Sequence, residues 1–163
     1  MAETSQPIVA GVTPAAFRDP SLTPDERTLA LLAHMLQIML WWIAPLAIFL
    51  IKRNSKFISF HALQALLLQI VYVLLLLGEF MLGVAVFLLV AAAAPASPHA
   101  PPPPEFFILM PVLWLSLMGM GLVVLLAAIV YGVRAGRGEW AEYPVLGQLA
   151  LKILKLRSGG VPL

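Results

Sequence analysis

Long apolar stretches dominate the pattern of this chain. They cover residues 29–51, 60–94 and 106–133, and the only formal charge inside them is Glu79. Each stretch is longer than the roughly 20 residues that an α-helix needs to cross the hydrocarbon core of a bilayer. The pattern therefore predicts an all-α, polytopic membrane protein with three transmembrane helices.

Local signals set the expected helix bounds. Thr23, Pro24 and Glu26 form a helix start, because Thr23 can cap, Pro24 suits the first helical position and Glu26 completes a capping box. Pro45 lacks an N–H, so it is expected to kink the first helix about a turn earlier. The predicted transmembrane helices run over about 24–52, 57–94 and 105–135.

The second stretch exceeds what a bilayer requires. A helix of about 35 residues measures on the order of 50 Å, against a hydrocarbon core of roughly 30 Å. This helix must tilt, protrude or break. Gly78–Glu79 and Gly83 are the expected break points.

The remaining segments are short, so one membrane domain, residues 23–157, accounts for the chain. Residues 1–22 are predicted to be an extended tail, 94–104 a polyproline-like connector and 158–163 a C-terminal tail. Residues 144–157 are too short to span and carry a polar stripe of Gln148, Lys152 and Lys155. They predict an amphipathic helix at the membrane interface, and docking on the protein's own cytoplasmic loop is the alternative.

Composition and charge agree with a membrane protein. Hydrophobic residues make up 61% of the chain, the mean hydropathy is +0.96, and no cysteine is available for disulfides or thiolate chemistry. The 52–56 loop carries three basic residues, the segment after residue 133 carries five, and the proline-rich connector carries none. The excess of Lys and Arg predicts a cytoplasmic C-terminus and, with three spans, an N-terminus outside.

Few residues offer chemistry. His61 and Gln64 lie i, i+3 at the start of the second helix, where they are expected to bond open backbone groups at the turn after the third helix. A metal or proton site is the alternative interpretation of His61. Counted at about 1.5 Å per residue from the cytoplasmic helix ends, His34 and Glu79 lie at matching depths, so they can pair near the outer boundary. The alternative is that Glu79 reaches the outer headgroups.

Other residues suit packing against neighbouring helices. Gly119 and Gly121 reduce the side-chain bulk of the third helix, and Gly132 and Gly136 form a small-xxx-small pair. Trp41 and Trp42 fall near mid-bilayer, where lipid, a partner helix or a cofactor can contact them.

Two motifs resemble those of a known family. Residues 60–66 (FHALQAL) and 135–144 (AGRGEWAEYP), which include Gly136, Gly138, Tyr143 and Pro144, resemble the DUF4870 family of small bacterial membrane proteins, described as Tic20-like. The resemblance covers roughly residues 28–157. It implies a multi-pass protein of the bacterial inner membrane and, through the Tic20 likeness, a translocation or channel role as an oligomer.

Functional classes follow from what the sequence contains. It has no nucleotide-binding loop, nucleophile triad, Cys/His cluster or nucleic-acid-binding pattern. We therefore predict a non-enzymatic accessory or scaffold subunit of a larger membrane complex, with the Tic20-like oligomer as the alternative. The expected partners are lipids, other membrane subunits or further copies of the chain. No cofactor is evident, and a bound lipid or pigment stays open.

Overall fold

The computed structural model describes residues 18–93, 104–157 and 160. Its helices are α1 (Pro24–Leu40), α2 (Ile43–Ile51), α3 (Lys56–Ala93), α4 (Pro104–Gly136) and α5 (Leu146–Leu154). Thr23 forms the predicted capping box with Glu26 at the start of α1. Residues 1–17 of the predicted tail (1–22) and 94–103 of the predicted connector (94–104) lie outside the described residues, as do 158–159 and 161–163.

The first apolar stretch folds back on itself. The hydroxyl of Ser55 donates to Glu26 Oε1 at 2.7 Å, although the two residues are 29 apart in the chain. A single helix over 24–51 would separate its ends by roughly 40 Å. The reversal occurs at Trp41, whose φ is +53°, and Pro45 falls in the first turn of α2, where its missing N–H breaks no helical hydrogen bond.

The expectation of one kinked helix over 24–52 is therefore wrong, and α1 and α2 form a helical hairpin whose two ends lie close together. The break does fall at Trp41 and Trp42, but it is a reversal instead of a kink. At the base of the hairpin, Arg18 pairs with Glu139 in an isolated antiparallel bridge. This pairing places the described start of the chain beside the segment that follows α4.

Two helices in the described residues are long and apolar enough to cross a membrane, α3 and α4. They run antiparallel, because Tyr72 lies beside Gly121 and Gly83 beside Leu113. With 38 residues, α3 is about 57 Å long and has none of the expected breaks. Although α3 is longer than the hydrocarbon core is thick, it is one unbroken helix.

The bundle has two parts, which we call the head and the stalk. In the head, α1, α2 and α5 pack around the start of α3 and the end of α4. In the stalk, residues 73–93 of α3 lie beside 104–120 of α4, and their large apolar side chains are mostly exposed. A stalk of about 21 residues is roughly 31 Å long, which matches the hydrocarbon core.

The core of the head explains where α5 lies. Aromatic side chains of α3 and the segment after α4 pack edge to face, with the rings of Phe57 and Trp140 centred 5.2 Å apart. The helix α5 adds Ala150 and Leu151 to this core and packs along α3. It spans nine residues instead of the predicted 144–157. In the structure α5 thus docks on the protein itself, the alternative to an interfacial helix.

Glycine allows α1 to approach α4 closely. A Cβ at Gly132 would overlap the Met35 side chain and lie 3.2 Å from His34 Cβ, and one at Gly136 would lie 2.8 Å from Leu31 Cδ1. By contrast, a Cβ at Gly119 would meet nothing within 4 Å. The close approach is therefore confined to the head.

The fold predicts that residues 21 and 54 share one side of the membrane. The chain has no native cysteine, so Ser21→Cys and Asn54→Cys introduce unique thiols at exposed positions. An impermeant maleimide should label both from the same side and label Glu105→Cys from the other. Labelling of residues 21 and 54 from opposite sides would restore the three-span topology.

The second prediction concerns the α1–α4 contact. Gly132→Ala should lower the stability of the protein by about 1–3 kcal/mol, because Met35 can move but the His34 backbone and Cβ are held by neighbouring contacts. Gly119→Ala is the matched control and should be neutral or gain about 0.5–1 kcal/mol of helix stability. Thermal unfolding followed by circular dichroism measures both, and equal melting temperatures would contradict the proposed close approach.

Candidate functional site

The head contains a cluster of buried polar side chains. His34 and Gln37 lie one turn apart on α1, His61 and Gln64 one turn apart on α3, and all four are fully buried. Residues at i and i+3 share a helix face, and in both helices this face points toward the segment that follows α4. That segment contributes Tyr143, whose side chain is also buried.

Three side chains form a continuous hydrogen-bonded chain. The Tyr143 hydroxyl lies 3.0 Å from His34 Nδ1. His34 Nε2 lies 3.2 Å from His61 Nδ1, and His61 Nε2 lies 3.1 Å from the carbonyl oxygen of Glu139. The chain connects α1, α3 and the segment after α4.

The last acceptor fixes the protons of the whole chain. A carbonyl oxygen can only accept, so His61 Nε2 must carry a proton. In a neutral imidazole the other nitrogen is then an acceptor, so His61 Nδ1 accepts a hydrogen bond from the N–H of His34 Nε2. By the same rule His34 Nδ1 accepts from the Tyr143 hydroxyl. The hydrogen bonds therefore all donate in one direction, from Tyr143 to Glu139. Both imidazoles are neutral, and in each the proton is on Nε2.

Gln64 binds the same segment through both atoms of its amide. Its Nε2 donates to the carbonyl oxygen of Ala141 at 3.2 Å, and its Oε1 accepts from the backbone N–H of Tyr143 at 2.7 Å. A side-chain amide can satisfy one donor and one acceptor of an irregular backbone. His61 and Gln64 together therefore hold residues 139–143, the turn to which the sequence assigns them.

Charged groups hold this turn from the outside. Gly138, with φ +78°, ends the helical path after α4, and its carbonyl oxygen accepts from Asp19 N at 3.0 Å. The Glu139 carboxylate accepts a hydrogen bond from Arg134 Nε at 3.0 Å, and its Oε1 lies 3.9 Å from Arg18 Nη2. Pro144 then leads into α5. The turn is thus bonded by the N-terminal segment on one side and by α3 on the other.

Burial raises the pKa of the Tyr143 hydroxyl well above its ordinary value of 10.0. The nearby Gln37 amide acts in the opposite direction, and Tyr131 adds to the increase. The hydroxyl therefore keeps its proton at neutral pH, as a donor to His34 requires.

The cluster is arranged for structure. Both nitrogens of each imidazole are engaged, so a metal ion would have to replace an existing hydrogen bond. Among the described residues, no group of three or more His, Asp or Glu side chains could hold a metal ion. The arrangement can fix the relative positions of three chain segments, and displacement of any one of them would break its hydrogen bonds.

Glu79 lies far from this cluster, so the predicted pairing of His34 with Glu79 is wrong. The depth match assumed one continuous first helix, whereas the reversal at Trp41 places His34 in the head. Glu79 is in the stalk, at a cavity of about 280 Å³ that Leu113 and Trp114 also line. Neither of its carboxylate oxygens has a hydrogen-bond partner within the described part of the chain.

The remaining candidates fall at separate places. Trp41 and Trp42 form the tip of the α1–α2 hairpin and are about half exposed. Gly119 faces open space on the stalk, and Gly121 faces the Tyr72 hydroxyl. The structure therefore does not bring these residues together with His61 and Gln64.

Sequence reasoning missed Gln37, Gln69 and the link from Tyr143 to His34. Gln37 and Gln69 are buried, and Gln69 Nε2 donates to the carbonyl oxygen of Gln37 at 3.2 Å. A signal was present, because His34 and Gln37 share a face of an apolar helix and His61 and Gln64 share a face of another. Amides and imidazoles repeated on one face of an apolar helix indicate a polar interface between helices.

The chain of hydrogen bonds predicts an alkaline limit to stability that depends on Tyr143. The folded state holds this proton more tightly than the unfolded state, so the stabilisation is complete below pH 10 and falls as the pH rises further. Tyr143→Phe should lower stability at pH 7 by about 0.5–1.5 kcal/mol plus the cost of leaving His34 unpaired. It should also flatten the decline above pH 10. Melting temperatures across pH 7–11 test this, and an equally steep decline in the variant would contradict it.

The comparison with known proteins identifies the family. The model of the magnetosome magnetite crystal formation protein family, MamF_MmsF, matches residues 25–150, which is 126 of the 163 residues. This match overturns the assignment to the DUF4870, Tic20-like family. No curated protein and no solved structure gives a significant match. The matched range includes α1 to α4 and the whole buried cluster, and the chain belongs to the magnetosome magnetite crystal formation protein family.

Proposed function

We propose that this protein is a non-enzymatic subunit of the magnetosome membrane that acts in magnetite crystal formation by packing against other membrane proteins. The observation that carries the proposal is the family match over residues 25–150. The buried cluster supports it, because His34, His61, Gln64 and Tyr143 are all used to hold the head together. A rigid head is what a subunit needs to present a constant surface.

Charge supports a defined orientation. All ten Lys and Arg residues of the sequence lie at the head end of the bundle or in the segments attached to it, and the far end of α3 and α4 has none. Because Lys and Arg are enriched on the cytoplasmic side, we propose that the head end is cytoplasmic. With two crossing helices, residue 18 and the C-terminal segment are then on the same, cytoplasmic side of a bacterial membrane.

The stalk is the proposed contact surface for other subunits. Its two helices leave large apolar side chains exposed, and a Cβ at Gly78 or Gly119 would meet nothing within 4 Å. Association of helices within lipid depends on close packing, for which open glycine positions are suited. Another membrane subunit or a further copy of the chain would fit this surface. Lipid alone would cover it in a free monomer.

Gene deletion tests the role in crystal formation. In the source bacterium, removal of the gene should alter the size or number of magnetite crystals seen by electron microscopy, and the wild-type gene should restore them. Normal crystals after deletion, with no related copy in the genome, would contradict the proposal.

A pair of leucine substitutions tests the contact surface. Gly119→Leu on the stalk should reduce the material that co-purifies in mild detergent by several-fold and should fail to restore normal crystals. Ala47→Leu, at an exposed position of α2, is the matched control and should behave as wild type. Both variants must insert at wild-type levels, because an apolar replacement does not weaken the insertion signal. Unchanged co-purification for Gly119→Leu would exclude the stalk as the contact.

A further inference from the structure

A polar cavity lies between α1, α3 and α4, at the level where the hairpin reverses. Its volume is about 140 Å³, and Gln37, Gln69, Tyr72 and Gly121 are among the residues that line it. The volume is well above the roughly 10–15 Å³ that one water molecule needs. The cavity can therefore hold more than a single water.

Three buried amide atoms of the glutamines that line it have no hydrogen-bond partner in the described residues. They are Nε2 and Oε1 of Gln37 and Oε1 of Gln69. Gln37 is fully buried and Gln69 is 3% exposed. An unpaired buried polar group costs about 1–3 kcal/mol, so a ligand that pairs all three would be strongly favoured.

The unpaired atoms define the ligand. Two of them are carbonyl oxygens that accept, and one is an amide nitrogen that donates. The ligand must offer two donors and at least one acceptor in a small space. It must also be neutral there, because none of the described residues that line the cavity is charged. Two adjacent hydroxyl groups meet these requirements, since each hydroxyl donates once and accepts twice.

The surroundings of the cavity indicate how such a group would arrive. Ile38 and Trp41 also line the cavity, and they are 39% and 50% exposed among the apolar side chains at the tip of the hairpin. A ligand that enters past these side chains comes from the lipid phase and carries an apolar portion.

We propose that this cavity binds the adjacent pair of hydroxyl groups at the end of a glycerol-type lipid headgroup. The two hydroxyls donate to Oε1 of Gln37 and of Gln69, and one of them accepts from Gln37 Nε2. The Tyr72 hydroxyl, which also lines the cavity, provides a further polar contact. The acyl chain lies against Ile38 and Trp41. The proposal is independent of the role in crystal formation.

Binding is measured with monoolein, which carries two adjacent hydroxyls and no charge. The full-length protein is purified in lauryldimethylamine oxide, a detergent without a diol, and titrated with monoolein by native mass spectrometry. We expect saturable binding of one molecule. Methyl oleate, which has the same chain and no hydroxyl, should not bind at the same concentrations. Absence of monoolein binding, or equal binding of methyl oleate, would overturn the proposal.

Substitutions locate the site. Gln37→Leu and Gln69→Leu should each raise the Kd for monoolein about tenfold, the change that corresponds to 1.4 kcal/mol. Gln37 lies near the Tyr143 hydroxyl, so the melting temperature of Gln37→Leu is measured beside its Kd. Gln148→Leu, at an exposed position of α5, is the control and should bind as wild type. Equal affinity for wild type and Gln37→Leu would contradict the assignment.

A steric pair gives an independent check. Gly121→Leu should block binding by filling the cavity, because a Cβ there already lies 3.5 Å from the Tyr72 hydroxyl. Ala47→Leu, at an exposed position of α2, is the control and should bind monoolein as wild type. Unchanged binding in Gly121→Leu would place monoolein elsewhere on the protein and overturn the proposal.

Phosphatidylglycerol distinguishes the source of the diol, since its headgroup ends in the same two hydroxyls but carries a phosphate. Binding that weakens in Gln37→Leu would support a glycerol headgroup in this cavity, whichever lipid supplies it. Binding of phosphatidylglycerol alone, lost in Lys52→Gln and retained in Gln37→Leu, would show recognition of the phosphate instead and overturn the proposal.

Discussion

Polar groups buried among apolar side chains must find their hydrogen bonds inside the protein, and the head of this bundle is built around that requirement. The hydrogen-bonded chain from Tyr143 through His34 and His61 to Glu139 joins three segments that are far apart in the sequence. Gln64 bonds the same turn at Ala141 and Tyr143. Removal of any one segment would leave imidazole or amide groups unpaired, so the positions of α1 and of the turn after α4 depend on α3.

The reversal at Trp41 and Trp42 decides the rest of the architecture. It returns the chain to the side where it began, so that Glu26 meets Ser55 and α1 can lie antiparallel to α4 across Gly132 and Gly136. Among the described helices, α3 and α4 are then the two that are long and apolar enough to cross a membrane. The head supplies the polar interior, the stalk supplies an apolar exterior, and the cavity at Gln37 and Gln69 lies where the two parts meet.

The sequence predicted helix content, the capping box at Thr23 and the ends of the long helices well, because these depend on local residue types. The bonds of His61 and Gln64 to the following turn were predictable from their i, i+3 spacing. The hairpin was not, because 23 apolar residues permit one span or two shorter helices, and tertiary contacts such as Arg18 with Glu139 decide between them. The His34–Glu79 pairing failed for the same reason. Tyr143 and His34 are 109 residues apart, a distance that no local pattern covers.

That separation also orders the assembly of the protein during synthesis. The α1–α2 hairpin is made first, yet its partners on α4 and at Tyr143 emerge about a hundred residues later. Contacts so distant along the chain form late, because the intervening loop must first be closed. Until then His34 lacks the hydrogen bond from the Tyr143 hydroxyl. The last part of the chain therefore completes the fold of the first.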